Sequence, residues 1–341
     1  MKFGFWTPVY NGWLRNIDDE NVPLSWEYIK EVAQRAERAG YELTLVPELF
    51  LNDVKGIKAP AFDSWTVAAA LCASTQKLEI LSALRPQYHP VALTAKQIAV
   101  LEDISQGRFS VNAVSAWWAE EARQYGIDFT DHDDRYGLTH EYFDVLRGLL
   151  TQSPYNHQGK YFQFEGTYVE PKPKKLPLVY AGGESEIGRQ HIVEFADAYL
   201  VHGATPEEAG EKIEDMKRRR AEFGKEPFEI FGMAAYIIVR DTEEEAQAEL
   251  ARIVEPNPHS SGYDSFKEFT KNSNLDLELS KRDYATMNRG LRPNFVGTPQ
   301  QVADKIKAFQ DVGVNVLLVQ SSPVIEELER IARDVFPLVN G

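Results

Sequence analysis

Eight apolar, strand-like runs that alternate with helical segments restrict the fold of this chain more than any other feature. The runs cover residues 2–7, 43–47, 78–84, 109–114, 178–181, 198–202, 232–239 and 314–320. Helical spacing of apolar residues occurs between them, at 26–39, 91–104, 135–150, 206–223, 242–253 and 299–312. Eight such units predict an α/β fold of the (β/α)8 TIM-barrel type. An open doubly wound sheet built from the same units is the alternative.

The length of the chain predicts one domain with two insertions. A barrel of this type needs about 250 residues, and this chain has 341 without a break in composition. We therefore expect a single domain over residues 1–341. Residues 151–175, rich in Tyr, Phe, Lys and Pro, and residues 255–295, polar and irregular, exceed a minimal barrel. The second insertion is too long for an ordinary loop and is predicted to form a partly ordered lid.

Charge and hydropathy exclude several classes of protein. The net charge of −15 argues against a nucleic-acid partner, because phosphates need a basic face. No apolar run approaches the roughly 18 residues of a membrane span, and the first six residues resemble a strand rather than a signal peptide. We expect a cytoplasmic enzyme. The single cysteine, Cys72, excludes an intrachain disulfide and is predicted to be a buried core residue.

The common catalytic and nucleotide-binding motifs are missing from the sequence. There is no G-x-G-x-x-G after a strand and no Walker-type G-x-x-x-x-G-K. No H-E-x-x-H or paired-cysteine spacing predicts a metal site, and no G-x-S-x-G predicts a serine nucleophile. We expect no metal.

Polar and aromatic residues cluster after the fourth strand-like run. Asn112, Ser115, Trp117 and Glu121 lie at or just beyond its end, and the Arg135–Tyr136 pair follows. In a parallel barrel the carboxyl ends of the strands carry the chemistry. These residues are therefore candidates for a binding or catalytic site.

The Gly182-Gly183-Glu184-Ser185 segment is a candidate anion site. It follows one strand-like run and precedes a helical segment, so its free backbone N–H groups lie at a helix N-terminus. An ordinary strand-to-helix connection is the alternative. Arg135 and Tyr136 favour the anion site, because an arginine and a phenol complete the shell of a phosphate monoester.

Several motifs in a fixed order resemble one enzyme family. They are FWTPVYNGW at the start, LRPQYHP at 84–90, the block from Ser105 to Tyr136, LVYAGGES at 178–185, VRDTEEEA at 239–246 and NFVGTP at 294–299. Together they resemble the bacterial luciferase-like flavin monooxygenases, in the branch that uses reduced FMN. Ala116 replaces the glycine of the family pattern. The alkanesulfonate, dimethylsulfone and pyrimidine oxygenases have the most similar patterns.

The resemblance implies a two-component monooxygenase. Reduced FMN would come from a separate NAD(P)H-dependent flavin reductase, react with O2 to a flavin peroxide, and oxygenate a small organosulfur compound with C–S cleavage. A homodimer or homotetramer is implied as well. The implied cofactor-binding residues are Asn112, Ser115, Glu121, Arg135, Tyr136, Gly182, Gly183 and Ser185.

Departures from the alkanesulfonate pattern narrow the substrate. Ala234, Tyr236, Ser322 and Val324 stand where that enzyme carries charged or titratable groups, so a small neutral or weakly anionic sulfone or sulfonate is expected rather than a long sulfonate.

Four residues are the catalytic candidates. Tyr236 could donate a hydrogen bond to the reacting oxygen, Trp117 could touch flavin or substrate, and Arg289 and Arg292 could meet an anionic head group. A core tyrosine and a solvated charged loop are the alternatives.

Three alternative functions remain open at this point. A deazaflavin-dependent dehydrogenase shares the barrel, although its acidic cofactor favours a more basic mouth than this composition provides. An oxygenase of another small substrate, such as a pyrimidine, and a flavin-binding relative without catalysis are the others.

Overall fold

A closed parallel barrel forms the centre of the molecule. The computed structural model describes residues 1–18, 20–129, 131–255, 259 and 280–341. The barrel strands are β1 (Lys2–Trp6), β2 (Leu43–Val46), β3 (Glu79–Leu84), β4 (Phe109–Ala113), β7 (Val179–Gly182), β8 (Ala198–Val201), β9 (Ile230–Tyr236) and β12 (Val316–Gln320). They follow the order β1-β12-β9-β8-β7-β4-β3-β2, and β1 pairs with both β12 and β2. The barrel prediction is confirmed, and the open sheet is excluded.

Burial explains why the barrel strands are mostly apolar. Every residue of β2, β4, β8 and β12 is buried. Strands of a parallel barrel face packed side chains inside and helices outside, so apolar residues are favoured on both faces. The carboxyl ends of all eight strands therefore open on one face of the barrel.

Helices surround the barrel, and four of the six predicted helical segments begin at the predicted residue, whereas the segment predicted from 135 begins at His132 and the segment predicted from 242 begins at Glu243. They are α1 (Trp26–Ala39), α2 (Ser64–Ser74), α3 (Val91–Ser105), α4 (Ala119–Gln124), α5 (His132–Thr151), α6 (Glu186–Phe195), α7 (Pro206–Glu222), α8 (Glu243–Val254), α9 (Lys281–Ala285), α10 (Pro299–Asp311), α11 (Val324–Asp334) and α12 (Phe336–Asn340). Thr205 and Thr298 each form a capping box with the residue three positions later, and proline occupies the first helical turn in both. Among the described residues, no helix combines the length and the apolar character that a membrane crossing requires.

The first insertion contains a short hairpin, and most of the second lies outside the described residues. Within 151–175, β5 (Tyr155–Gln158) and β6 (Gln163–Thr167) form an antiparallel hairpin that was not predicted. Two further short strands, β10 (Ile238–Val239) and β11 (Val296–Gly297), pair in parallel outside the barrel. Most of the predicted lid, at 256–258 and 260–279, lies outside the described residues. Its last part is ordered as α9 and a 3-10 turn (Met287–Arg289), and Leu14 pairs with Thr286 in an isolated bridge.

Candidate active site

A cavity of about 240 Å³ opens at the carboxyl ends of the barrel strands. All eight barrel strands contribute residues to its lining, as do the loops that follow several of them and the 283–289 segment. The lining includes apolar side chains from the strands, among them Leu45, Ala83, Ala234 and Leu318. The cavity thus has an apolar floor inside the barrel and polar groups around its mouth, as small-molecule sites usually have.

The first polar region of the cavity is a phosphate cradle, which we define as Arg135, Tyr136, Gly182, Gly183 and Ser185. All five residues line the cavity. Ser185 is the N-cap of α6, and its hydroxyl accepts a hydrogen bond from the amide of Gly188 at 3.2 Å. The N-terminal amides of this ten-residue helix therefore lie at the edge of the cavity.

Close packing fixes the cradle. Tyr136 is hydrogen-bonded to Ser185, and burial raises the pKa of its phenol, against the effects of this bond and of the neighbouring Arg135 charge. A Cβ atom at Gly183 would stand 3.4 Å from the Tyr136 hydroxyl, and one at Gly188 would stand 3.0 Å from its ring. Arg135 is 6% exposed, and its guanidinium lies 4.3 Å from the ring centre of Phe129. A buried arginine, a phenol and a helix N-terminus together can bind a phosphate monoester.

The second polar region is a charge cluster, defined as Glu184, His202, Lys212 and Arg289. The Glu184 carboxylate binds the Lys212 ammonium at 2.7 Å and also pairs with the Arg289 guanidinium. Burial disfavours the charged form of Glu184, but the positive charge of its neighbours outweighs it and lowers its pKa to about 2. Two cations around one carboxylate leave the cluster with a net positive charge.

His202 follows β8 and lines the cavity within this charge cluster. Burial lowers the pKa of its imidazole to about 4, with help from Arg289 and Lys212 and against the pull of Glu184. His202 is therefore neutral at neutral pH, which leaves one ring nitrogen as a donor and the other as an acceptor.

A strained turn holds Arg289 in this cluster. Asn288 and Arg289 have φ angles of 51° and 54°, in the left-handed region that residues other than glycine rarely adopt. Gly203, directly after His202, donates its amide to the Asn288 carbonyl at 2.9 Å. A Cβ atom at Gly203 would stand 2.0 Å from the Arg289 carbonyl oxygen, so only glycine permits this approach.

Comparison with known proteins identifies the family. A sequence model described as luciferase-like monooxygenase matches residues 1–315. The chain belongs to this luciferase-like monooxygenase family. An FMNH2-dependent dimethylsulfone monooxygenase of Pseudomonas putida is 32% identical over 352 residues, which span 99% of this chain and 95% of that protein.

Solved structures of other proteins share the fold. A long-chain alkane monooxygenase, LadA, superposes with a TM-score of 0.84 at 17% identity and covers 100% of this chain and 91% of its own. DmoA of Hyphomicrobium sulfonivorans gives a TM-score of 0.80 at 19% identity, over 99% of this chain and 87% of its own. The closed barrel described above is thus the fold of these luciferase-like monooxygenase structures.

Most of the predicted site residues of this luciferase-like monooxygenase lie together in the structure. Asn112, Ser115, Trp117 and Arg289 line the same cavity as the cradle. Ser115 shares a hydrogen bond of 3.1 Å with Thr139, and Trp117 stacks on Trp118 with 5.4 Å between ring centres. The side-chain oxygen of Asn112 is buried and has no hydrogen-bond partner among the described residues. The roles assigned to these residues stay predictions.

Glu121 was expected to face the cofactor, and the structure corrects this placement. Glu121 is fully buried and is not among the cavity-lining residues. Its carboxylate accepts hydrogen bonds from the amides of Phe50 and Leu51 and pairs with Arg85. Because Arg85 also pairs with Glu48, which does line the cavity, Glu121 anchors the loop after β2 from behind.

Tyr236 and Arg292 were expected to face the substrate, and their placement is also corrected. Tyr236 is 2% exposed and does not line the cavity. Its backbone amide donates to the Gly290 carbonyl at 2.7 Å, and burial raises the pKa of its phenol well above the usual value. Arg292 does not line the cavity, and its guanidinium pairs with Glu208 and with the lining residue Asp283.

Several ionisable groups of the cavity mouth were not predicted as site residues. They are His202, Glu184, which was named only as part of the 182–185 segment, and the buried pair of Arg15 and Asp53 at 2.8 Å, which also lines the cavity. Arg15 additionally donates to the Thr286 carbonyl at 2.9 Å, which ties the loop after β1 to the 283–289 segment. The position of His202 at the carboxyl end of the predicted strand-like run 198–202 was a signal that could have identified it.

One group of side chains has the spacing of metal ligands, although no metal site was expected. His140, His191 and Glu194 each offer a ligand atom, and these atoms lie within 4.8 Å of one another on α5 and α6, away from the cavity lining. The Nδ1 atoms of the two histidines are 3.2 Å apart. Cys72 is buried, and burial raises the pKa of its thiol to about 12.

Proposed function

We propose that the chain is a two-component monooxygenase that uses reduced FMN and O2 to oxygenate a small neutral organosulfur compound, with cleavage of a C–S bond. The observation that carries the proposal is the phosphate cradle at the mouth of a barrel of this family. The names of the relatives at about one-third identity, over nearly the full length, support reduced FMN and a sulfone. Supply of FMN by a flavin reductase, and a homodimer or homotetramer, belong to the same proposal.

The residues of the cavity fit FMN. The cradle offers a guanidinium, two hydroxyls and the α6 amides to the phosphate, and a Cβ atom at Gly183 would crowd this space, at 2.9 Å from Ile192. Asn112, whose side-chain oxygen is otherwise unsatisfied, would accept a hydrogen bond from the ring, beside Ser115. Bound reduced FMN supplies the electrons that activate O2. The protein orients it and excludes water from the apolar floor.

The charge balance of the cavity favours a neutral substrate. Most cations and carboxylates of the lining are held in ion pairs: Arg15 with Asp53, Arg289 with Glu184, and Glu48 with Arg85, which does not itself line the cavity. Arg292, which was expected to meet a sulfonate, is held by Glu208 and Asp283. An anionic head group would have to displace one of these carboxylates, whereas a sulfone would not.

Two assays test this function. Anaerobic titration should give tight binding of reduced FMN and weak binding of a reduced deazaflavin. With an added flavin reductase, sulfinate or sulfite release is then measured from dimethylsulfone, methanesulfonate and octanesulfonate. We expect turnover of dimethylsulfone above both sulfonates. Fast turnover of octanesulfonate, or tighter binding of the deazaflavin, would contradict the proposal.

A further inference from the structure

His202 presents an unoccupied hydrogen-bonding group to the cavity. Leu200, Val201 and His202 all line the cavity at the end of β8, and the first two are buried while His202 is partly exposed. Neither ring nitrogen of His202 forms a hydrogen bond with any residue in the described part of the chain. The carboxylates that line the cavity differ in this respect, since Glu48, Asp53, Glu184 and Asp283 are all held in ion pairs.

The charged groups that face His202 are Glu184, Arg289 and Lys212. Burial, with the charges of Arg289 and Lys212 and against that of Glu184, keeps the imidazole neutral, so that at neutral pH it carries one N–H donor and no charge. A neutral N–H donor beside a cluster of net positive charge can bind an oxygen that is uncharged in the substrate and becomes negative during the reaction. The hydrogen bond and the attraction to the cluster both strengthen as the negative charge on that oxygen develops.

We propose that the N–H group of His202, supported by the charge of Arg289, binds a sulfonyl oxygen of the substrate and stabilises the sulfinate that forms when the C–S bond breaks. This proposal rests on the function proposed above. The site takes a neutral sulfone, with its oxygens on His202 and its alkyl groups on the apolar floor formed in part by Leu45, Ala234 and Leu318.

The C–S cleavage defines which charge the site stabilises. Once a hydroxyl group stands on the carbon next to sulfur, its O–H bond breaks and the proton passes to water. The electron pair of that bond forms the C=O bond of an aldehyde. The C–S bond breaks, and its electron pair goes to sulfur, which leaves as a sulfinate anion. The negative charge is shared by the two former sulfonyl oxygens, where His202 donates and Arg289 attracts.

The strand order separates this subsite from the phosphate cradle. The cradle lies at the ends of β4 and β7, whereas His202 follows β8 and faces the strained turn of Arg289. Since β8 is the direct neighbour of β7, the main competing ligand of His202 is the phosphate of FMN itself. The experiment must therefore measure FMN and sulfone separately.

The test compares His202→Ala and His202→Gln with His157→Gln. His157 is a matched control, because it is a partly buried histidine paired with Glu141 on the outer hairpin. For each variant we would measure the Kd of FMN, and kcat and KM for sulfinate release from dimethylsulfone. Dimethylsulfone would also be titrated into the ¹⁵N-histidine-labelled protein with oxidised FMN. The His202 imidazole resonance, one of seven, is assigned by its loss in His202→Gln.

We expect His202→Ala to lower kcat/KM by about a hundred- to a thousandfold, as loss of one oxyanion donor does, with an unchanged Kd for FMN. His202→Gln, which keeps an N–H donor, should recover part of the loss. Dimethylsulfone should shift the His202 resonance, and kcat/KM of the parent should show no limb from this imidazole between pH 6 and 8.

Three results would overturn the proposal. They are an unchanged kcat/KM in His202→Ala, a weaker Kd for FMN as the main effect of both variants, and an unshifted His202 resonance at saturating sulfone. If the parent releases no sulfinate, the proposed function fails, and the resonance titration alone still decides whether His202 binds a sulfonyl oxygen.

Discussion

The phosphate cradle and the charge cluster face the same cavity but are built in different ways. The cradle uses two short segments, Arg135–Tyr136 and 182–185, together with backbone amides of one helix N-terminus. The charge cluster joins side chains from four places, and Glu184 pairs across 28 residues with Lys212 and across 105 with Arg289. A site formed largely by backbone groups can be predicted from a sequence, because it requires particular residue types at consecutive positions. A site formed by side chains that are distant in sequence cannot be predicted in this way.

The two regions should also differ in what a single substitution damages. Cradle residues contact the cavity and contribute little to each other's charge balance, so their loss should weaken ligand binding. In the charge cluster, each buried ion depends on its partner, so loss of one should destabilise the fold. The following variants test this difference, beginning with the largest expected effect.

Glu184→Gln should be the most destabilising of these changes. It leaves Lys212 and Arg289, whose side chains are 17% and 4% exposed, without their carboxylate. Breaking a buried ion pair costs about 3–5 kcal/mol of unfolding free energy, which urea denaturation measures. Glu186→Gln is the control: it is two residues away, and its side chain is 58% exposed. Equal losses in the two variants would refute a structural role for the cluster.

Arg135→Ala should weaken FMN binding without a comparable loss of stability. A charge-assisted hydrogen bond contributes about 1.5–3 kcal/mol, so the Kd of reduced FMN should rise about tenfold or more. Anaerobic fluorescence titration gives this Kd. Arg123→Ala serves as the control, since Arg123 is 70% exposed and pairs with Glu120 on the surface. An unaltered Kd in Arg135→Ala would remove Arg135 from the cradle.

These two predictions rest on sequence information to different degrees. Arg135 and the glycines of 182–185 were predicted as a phosphate site from residue type and from their position after strands, and the structure brings them together. For Glu184, no partner could be predicted, because nothing in the order of residues indicates that the 287–289 turn lies over the end of β8. Glu121 shows the opposite error: it was predicted to bind the cofactor because it follows a strand, but its side chain points away from the cavity and pairs with Arg85.

The pH dependence of stability should separate two members of the charge cluster. The pKa of Glu184 is lowered to about 2 in the folded state, so its stabilisation is present above the unfolded pKa near 4.5 and lost as the pH falls towards 2. The pKa of His202 is lowered to about 4, so protons favour unfolding between its unfolded value near 6.5 and 4.

Urea unfolding at several pH values measures both effects. Glu184→Gln should flatten the stability profile between pH 4.5 and 2, and His202→Gln should flatten it between pH 6.5 and 4. An unchanged profile in either variant would show that the corresponding group is not coupled to folding in this way.

Gly188→Ala should have the smallest effect and should act on the cradle alone. Its Cβ atom would stand 3.0 Å from both the Ser185 hydroxyl and the Tyr136 ring, which must shift by a few tenths of an ångström. A loss of roughly threefold in FMN affinity, below 1 kcal/mol, is expected. Gly210→Ala provides a similarly crowded helical glycine, at 3.3 Å from Val312, away from the cavity. A larger loss in Gly210→Ala would argue against a specific effect on the cradle.

The sequence by itself determined the barrel and several of the helix starts of this protein. Parallel strands that are buried on both faces must be apolar runs, and residues such as Thr205 and Thr298 set the beginnings of helices through local hydrogen bonds. The glycine pair of the cradle was predictable for the same reason, because the backbone conformation before the helix depends on local residue types. These features depend on residues that are neighbours in sequence, so they can be predicted without knowledge of the tertiary structure.

Only the tertiary structure decided which polar side chains reach the cavity. Tyr236, Arg292 and Glu121 were candidates by position, yet they face other partners, while His202 and Glu184 enter the mouth. The direction of a side chain beyond a strand end depends on the path of the following loop and on what packs against it. The pairing of Gly203 with the Asn288–Arg289 turn, far apart in sequence, is the contact that fixes this path, because a bare backbone there admits the Arg289 carbonyl.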